Sequence, residues 1–205
     1  MIFLEISQIY GNLPVIETER LLLRKITFDD AEDIYEYTSD QIVSKYVTWD
    51  RHGTIMDTKG FIHFVNQQYA LQKLAPWGIE LKENGKLIGT VDFVSWQPKH
   101  FTAEIGYAIA RRYWGKGITT EAAKALIHFG FTEMNLVRIQ ARCMVENVGS
   151  QRVMEKSGMT FEGIIRKGIF AKGKQHDLKL YSILLEEFEH SQENDKTQSL
   201  FRNYQ

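Results

Sequence analysis

The chain has 205 residues, a hydrophobic fraction of 43%, a charged fraction of 25% and a formal net charge of −1. That length fills one soluble domain and is short for two, and so small a net charge excludes general attraction to nucleic acid or to an anionic membrane. The single cysteine, Cys143, excludes an internal disulfide framework and a cysteine-rich metal site. No apolar run reaches the roughly 18 residues of a membrane span. Glu5 also interrupts the apolar N-terminus, so no secretion signal is read and a cytoplasmic chain is expected.

In chain order, residues 1–13 are partly apolar and end before Pro14. They read equally as an edge strand, a partner-binding arm or a disordered start. Leu21–Ile26 predicts a first strand, apolar enough to be buried on both faces. Thr27 caps a helix to about Thr38, with Asp29, Asp30 and Glu32 near its positive end. Residues 39–53 lack a period and predict an irregular connection. A second helix over about Thr54–Lys73 carries Ile55, Phe61, Ile62, Phe64, Val65 and Tyr69 as its apolar set. Asn84-Gly85 between two alternating runs, Trp77–Glu83 and Lys86–Trp96, is a strong hairpin signal. Phe101–Ala110 continues as a further strand. After it, Ile118, Ala122, Ala125, Leu126 and Phe129 share one helical stripe. Leu136–Met144 is a strand, and Asn147 caps a helix closed by Gly158. Met159–Ile169 and His176–Leu185 form a last hairpin, and the polar stretch 189–205 reads as a frayed tail. The order β-α-α-β-β-β-α-β-α-β-β describes one mixed α/β domain without repeats.

Between the strand at 101–110 and the next helix lies Arg112-x-x-Gly115-x-Gly117. A glycine loop opening a helix is suited to an anion: free amides and the helix dipole point at it, and glycine keeps Cβ atoms out of the way. It is not a Walker loop, because Gly115-Lys116 is followed by Gly117 rather than Ser or Thr. Nor is it the dinucleotide fingerprint, whose third glycine position holds Thr120. The R-x-x-G-x-G loop resembles the signature of the GCN5-related N-acetyltransferase (GNAT) family, and the predicted element order is also that family's. The resemblance spans residues 18–188, leaving 1–17 as an N-terminal extension and 189–205 as a polar tail. It implies a mostly antiparallel sheet splayed between the fourth and fifth predicted strands. Acetyl-CoA would enter there as co-substrate, its pyrophosphate on residues 112–117. The implied coenzyme contacts are Tyr107, Ala108, Ile109, Arg112, Tyr113, Trp114, Gly115, Lys116, Gly117, Ile118, Thr119, Asn147, Ser150 and Arg152.

Three groups are candidates for chemistry. Alternation in Phe101–Ala110 puts Thr102, Glu104, Gly106, Ala108 and Ala110 on one face, low in bulk as a cleft requires. There a desolvated Glu104 with a raised pKa would take a proton from the acceptor amine, as proposed for a strand glutamate in similar enzymes; the alternative is a solvated surface residue. Asn147-x-x-Ser150-x-x-Val153-x-Glu155-Lys156-x-Gly158 resembles the ribosomal-protein alanine acetyltransferase branch, as do Thr18–Arg24 and Phe161-Glu162-Gly163 with Asp177 and Tyr181. In that branch the asparagine lies near the pantetheine arm and the serine by the coenzyme sulfur, so Ser150 is a candidate acid for the departing thiolate. Plain capping is the competing reading for both. Third, the family's fourth strand bulges, here near Tyr107–Ile109, to free amides for the developing oxyanion.

Cys143 is expected in the core, Tyr113 and Trp114 beneath the loop, and the segment with Tyr46, Trp49, Asp50 and Arg51 along the acceptor side. The six histidines show no ligand spacing, so no metal is expected. The implied function is acetyl transfer to a primary amine by direct attack, foremost a protein N-terminal amine such as that of a ribosomal protein. A polyamine, amino acid or aminoglycoside acetyltransferase and a non-catalytic acyl-CoA-binding module are the alternatives. A homodimer is plausible in this branch.

Overall fold

Thr27 and Thr54 each accept and return hydrogen bonds with an aspartate three residues on, Asp30 and Asp57, so two capping boxes open the first two long helices. In the computed structural model, which describes residues 4–202 and side chains through Glu193, these helices flank one sheet. The helices are α1 (Ile6–Tyr10), α2 (Ala31–Thr38), α3 (Ile55–Ala70), α4 (Ile118–Glu133), α5 (Val148–Lys156) and α6 (Leu185–Arg202). The strands are β1 (Ile16–Glu17), β2 (Leu21–Arg24), β3 (Trp77–Leu81), β4 (Lys86–Gln97), β5 (Thr102–Ile109), β6 (Arg138–Met144), β7 (Thr160–Ala171) and β8 (Lys174–Leu184). The sheet order is β1-β2-β3-β4-β5-β6-β8-β7, and only β5–β6 is parallel.

That parallel pair holds for three residues, Thr102–Glu104 against Arg138–Gln140, and then separates. The sheet is therefore open between β5 and β6. Helices cover it on both sides. Gly130 of α4 packs against Phe93 and Ile139, whereas Tyr37 of α2 reaches Thr90. Thr90 and Phe93 have opposite parity in β4, so α2 and α4 lie on opposite faces.

Several expectations are corrected. The first strand alternates buried and half-buried residues rather than burying both faces, because Arg24 turns out to Asp30 and Glu80. Phe64 is exposed, since Ile62, Val65 and Tyr69 occupy the inner stripe of α3. The N-terminal stretch is neither strand nor loose end over its described residues: α1 buries Tyr10 against Trp77, ring centroids 5.6 Å apart. Residues 1–3 lie outside the described residues. The stretch expected to fray continues as α6 to Arg202, started by Phe188 on Phe131 and His128. The register shift expected near Tyr107–Ile109 falls instead in β4 at Val94, between Phe93 and Ser95.

Candidate active site

The loop from β5 into α4 is built by two glycines in left-handed conformation, Gly115 (φ 73°) and Gly117 (φ 76°), the latter capping α4. A Cβ on Gly115 would meet open space, so its role is conformational. The first amides of α4 have no carbonyl behind them; the first helical bond is Glu121 N to Gly117 O. The Arg112 guanidinium bonds Glu36 at 3.1 Å and stacks on Tyr113, and Lys116 also lies over that ring. The loop thus offers an anion its backbone and the exposed end of α4. Tyr113 is half-buried, but Trp114 is exposed rather than packed beneath, tethered by its Nε1 donating to Ile109 O.

Residues far upstream clamp this loop. Thr18 Oγ1, Arg20 N and Arg20 Nε all donate to the Glu121 carboxylate, at 2.6, 3.0 and 2.6 Å, and Arg20 Nη1 donates to Lys116 O. The carboxylate is held below its usual range, with these bonds overcoming burial. The Thr18–Arg24 motif therefore belongs to the site as scaffold, which its sequence alone did not reveal.

A cleft of about 640 Å³ runs through the opening between β5 and β6. On the α5 side it is lined by Tyr107, Ala108, Cys143, Asn147, Ser150 and Met154. Asn147 Oδ1 accepts from Ser150 N at 3.1 Å, so the capping reading holds for Asn147. The Tyr107 hydroxyl lies 3.0 Å from Ser150 Oγ and donates to Ser150 O. A tyrosine is thus brought to the serine from the strand, although α5 has none. Burial pushes the Tyr107 phenol up, and pushes the Cys143 thiol to about 11, against a hydrogen bond from Ser150. Cys143 is buried and protonated, as a core residue. Ile109 and Ile118 are buried, and Thr119 is half-buried in the first turn of α4. Arg152 is exposed on α5.

Backbone direction follows from two bonds. Ala110 N donates to Ile88 O of the β4 side, and Val137 N donates to Phe101 O on the β6 side. Alternation then turns the Tyr107 and Ile109 amides toward the opening, with no bulge in β5. Glu104 does lie on the cleft face and is buried, but it is not a free carboxylate. Arg142 Nε donates to its Oε1 at 2.8 Å and Gln140 Nε2 to its Oε2 at 3.0 Å. Both partners come from β6, where nothing in the sequence tied them to Glu104.

The opposite end of the cleft lies under α2, α3 and their connection. Tyr46 and Trp49 line it together with His52 and Phe61, whereas Asp50 and Arg51, expected beside them, are exposed and do not. Burial pushes His52 down, and its Nδ1 lies 2.8 Å from Thr58 Oγ1. Lys172 at the β7–β8 tip reaches Trp49 O and, at 2.7 Å, Asp50. Asp92 of β4 is the residue that reading the sequence missed. It is buried by its neighbours and pushed up to about 7 by that burial, though partly exposed to the cleft. An aspartate within a β-rich run is itself a signal, since strands are depleted in it. Among the described residues no cluster of His, Cys, Asp or Glu is arranged for a metal.

A helix N-terminus behind a glycine loop, beside a sheet opened along one parallel pair, defines a transferase scaffold for an anionic carrier. The chain belongs to the GNAT acetyltransferases: residues 20–160 match the family described as "Acetyltransferase (GNAT) domain". It is 40% identical over 173 residues to the Bacillus subtilis protein named "Uncharacterized N-acetyltransferase YnaD", covering 84% of this chain and 98% of that one. It is 26% identical over 180 residues to the ribosomal-protein-serine acetyltransferase of Escherichia coli, covering 82% and 95%. A solved GNAT-family acetyltransferase from Bacillus anthracis superposes with a TM-score of 0.75 at 38% identity, covering 84% and 99%.

Proposed function

We propose that this acetyltransferase moves the acetyl group of acetyl-CoA to a protein N-terminal α-amine by direct attack in a ternary complex. The observation that carries this is one cleft reaching both faces of the sheet through the β5–β6 opening. The residues fit the coenzyme. The α4 amides and the positive-φ glycines suit a pyrophosphate, and the α5 side, with Asn147 and Met154, suits a pantetheine arm. The coenzyme supplies an activated thioester; this chain holds it and presents its carbonyl to the Tyr107 amide. The acceptor comes from the α2–α3 side and attacks that carbonyl, and proximity supplies much of the rate. Ser150, hydrogen-bonded to Tyr107, is placed to give a proton to the departing thiolate. Glu104 borders the opening with both carboxylate oxygens engaged, by Arg142 and Gln140.

The ribosomal-protein relative supports a peptide acceptor; the aromatic walls around Trp49 and Phe61 support a small amine with an apolar side chain, such as a free amino acid, as the second reading. Thiol release from acetyl-CoA across N-terminal ribosomal peptides, spermidine, free amino acids and an aminoglycoside tests both. Turnover confined to the peptides is the expected result; turnover confined to small amines overturns the peptide reading. A cytoplasmic enzyme and a homodimer complete the proposal, the latter tested by light scattering.

A further inference from the structure

The cleft holds one carboxylate that no described residue satisfies. Glu104 is engaged by Arg142 and Gln140, and Asp30 at the base of α2 by Arg24 and Thr27. Asp92 accepts no hydrogen bond from any described residue, although it lies in the middle strand of the site and opens on the cleft. Its ladder partner in β5 is Gly106. A Cβ there would come 3.2 Å from Asp92 Oδ1 and 2.7 Å from Val94 Cγ1, so the glycine leaves the room that the carboxylate faces. A half-buried carboxylate with no protein donor is left to cleft water, and a ligand that brings a donor can take the place of that water.

We propose that Asp92 is the catalytic carboxylate that binds the acceptor ammonium and takes its first proton; this rests on the transferase reading above. The ammonium N–H bond breaks toward Asp92 Oδ, and the freed nitrogen lone pair forms the C–N bond at the thioester carbonyl. The C–S bond breaks on collapse, and the thiolate takes a proton from the Ser150–Tyr107 pair. The adduct nitrogen sheds its second proton, which restores that pair through water. One proton, first held by Asp92, leaves to solvent.

The groups around Asp92 allow this. Tyr37 from α2, Tyr69 from α3 and Tyr10 from α1 are all pushed up, with the Asp92 charge among the causes, so they stay neutral and do not compete as bases. Glu104 is tied to Arg142, and His52 on the α2–α3 connection is pushed down by burial. With Asp92 at about 7, proton transfer from an α-ammonium of ordinary pKa near 8 is uphill by roughly tenfold. From a lysine or polyamine ammonium near 10.4 it is uphill by more than about 1,000-fold. Of these amines the α-ammonium gives up its proton to Asp92 more easily.

The experiment measures kcat/KM from about pH 6 to 9 for wild type, Asp92→Asn, Asp92→Glu and Glu104→Gln, using the amine from the panel that wild type acetylates best. Coenzyme A affinity and thermal midpoint are measured on the same proteins. Asp92→Asn is expected to lower kcat/KM by roughly 10²–10³ and to abolish its rise through pH 7. Coenzyme affinity should hold and the midpoint should not fall, Asp92→Glu should recover part of the rate, and Glu104→Gln should lose less. An Asp92→Asn enzyme within about threefold of wild type at every pH overturns the proposal. So does one that loses coenzyme affinity and midpoint together with the rate. A wild type that acetylates no amine removes the transferase reading itself, and the proposal with it, so the two failures are told apart.

Discussion

Ser150 and Tyr107 share one hydroxyl contact, and neither has a charged partner, so their worth to a leaving thiolate is that of neutral donors. Ser150→Ala is expected to lower kcat about tenfold, with Tyr107→Phe similar and the double variant well short of additive, because the two act as a unit. Steady-state kinetics on the three variants checks this. Asp92 makes a prediction about folding as well. Its folded value of about 7 lies above the unfolded one, so the folded chain holds the proton more tightly. Its contribution to stability is therefore full below about pH 4 and is lost as pH rises through 7. The gap corresponds to about 4 kcal/mol at most, reduced because the carboxylate is partly exposed to water. Asp92→Asn should thus gain on wild type between pH 5 and pH 8, read as a widening difference in thermal midpoint. A constant difference would mean that Asp92 is well solvated in the folded state.

At the scale of elements, the glycine loop was legible because its information is local: positive φ, an open helix end and a strand run consecutively from 104 to 122. The Asn84-Gly85 hairpin and the Thr27, Thr54 and Asn147 caps were legible for the same reason. Pairings across the sheet were not. Arg142 with Glu104, Glu121 with Thr18 and Arg20, and Tyr107 with Ser150 join residues 38 to 103 positions apart. Alternation names the face of a strand but not which charge will meet it there. Glu104 looked free for that reason, and Asp92 passed as one polar residue in an apolar strand. The two kinds of information separate in mutants. Gly117→Ala forces an L-residue to φ near 76°, a strain of about 1–2 kcal/mol, and should weaken coenzyme binding roughly tenfold. Glu121→Ala leaves the loop sequence intact but removes the partner of Thr18 and Arg20. It should cost about 1–3 kcal/mol of stability and weaken the coenzyme as well. Calorimetric titration and thermal unfolding distinguish the two, since Gly117→Ala should act more on binding than on the fold.

Across the whole molecule, the two ends of the cleft are held by different parts of the chain. The end proposed for the coenzyme rests on β5, α4 and α5, and Ile118, Ala122 and Leu126 join α4 to the core. The end proposed for the acceptor rests on the α2–α3 connection, which the distant β7–β8 hairpin helps to hold. Lys172 and Gly173, both at positive φ, make its tight turn and bring the Lys172 ammonium to Trp49 O and Asp50. Asp50 is almost fully exposed, so the ion pair itself adds well under about 1 kcal/mol to stability. Its effect is on where Trp49 stands. Tyr46 is secured separately, packed with Ile169 against Met144, Ala171 and Leu178. Lys172→Ala should therefore leave the fold and coenzyme affinity unchanged while raising KM for the amine several-fold, with kcat nearly intact. If coenzyme affinity fell in parallel, the hairpin would be bracing the β5–β6 opening as a whole. Because β8 pairs with the whole of β6 through Leu178–Leu184, that alternative has a direct path, and the split between the two constants decides which element the hairpin serves.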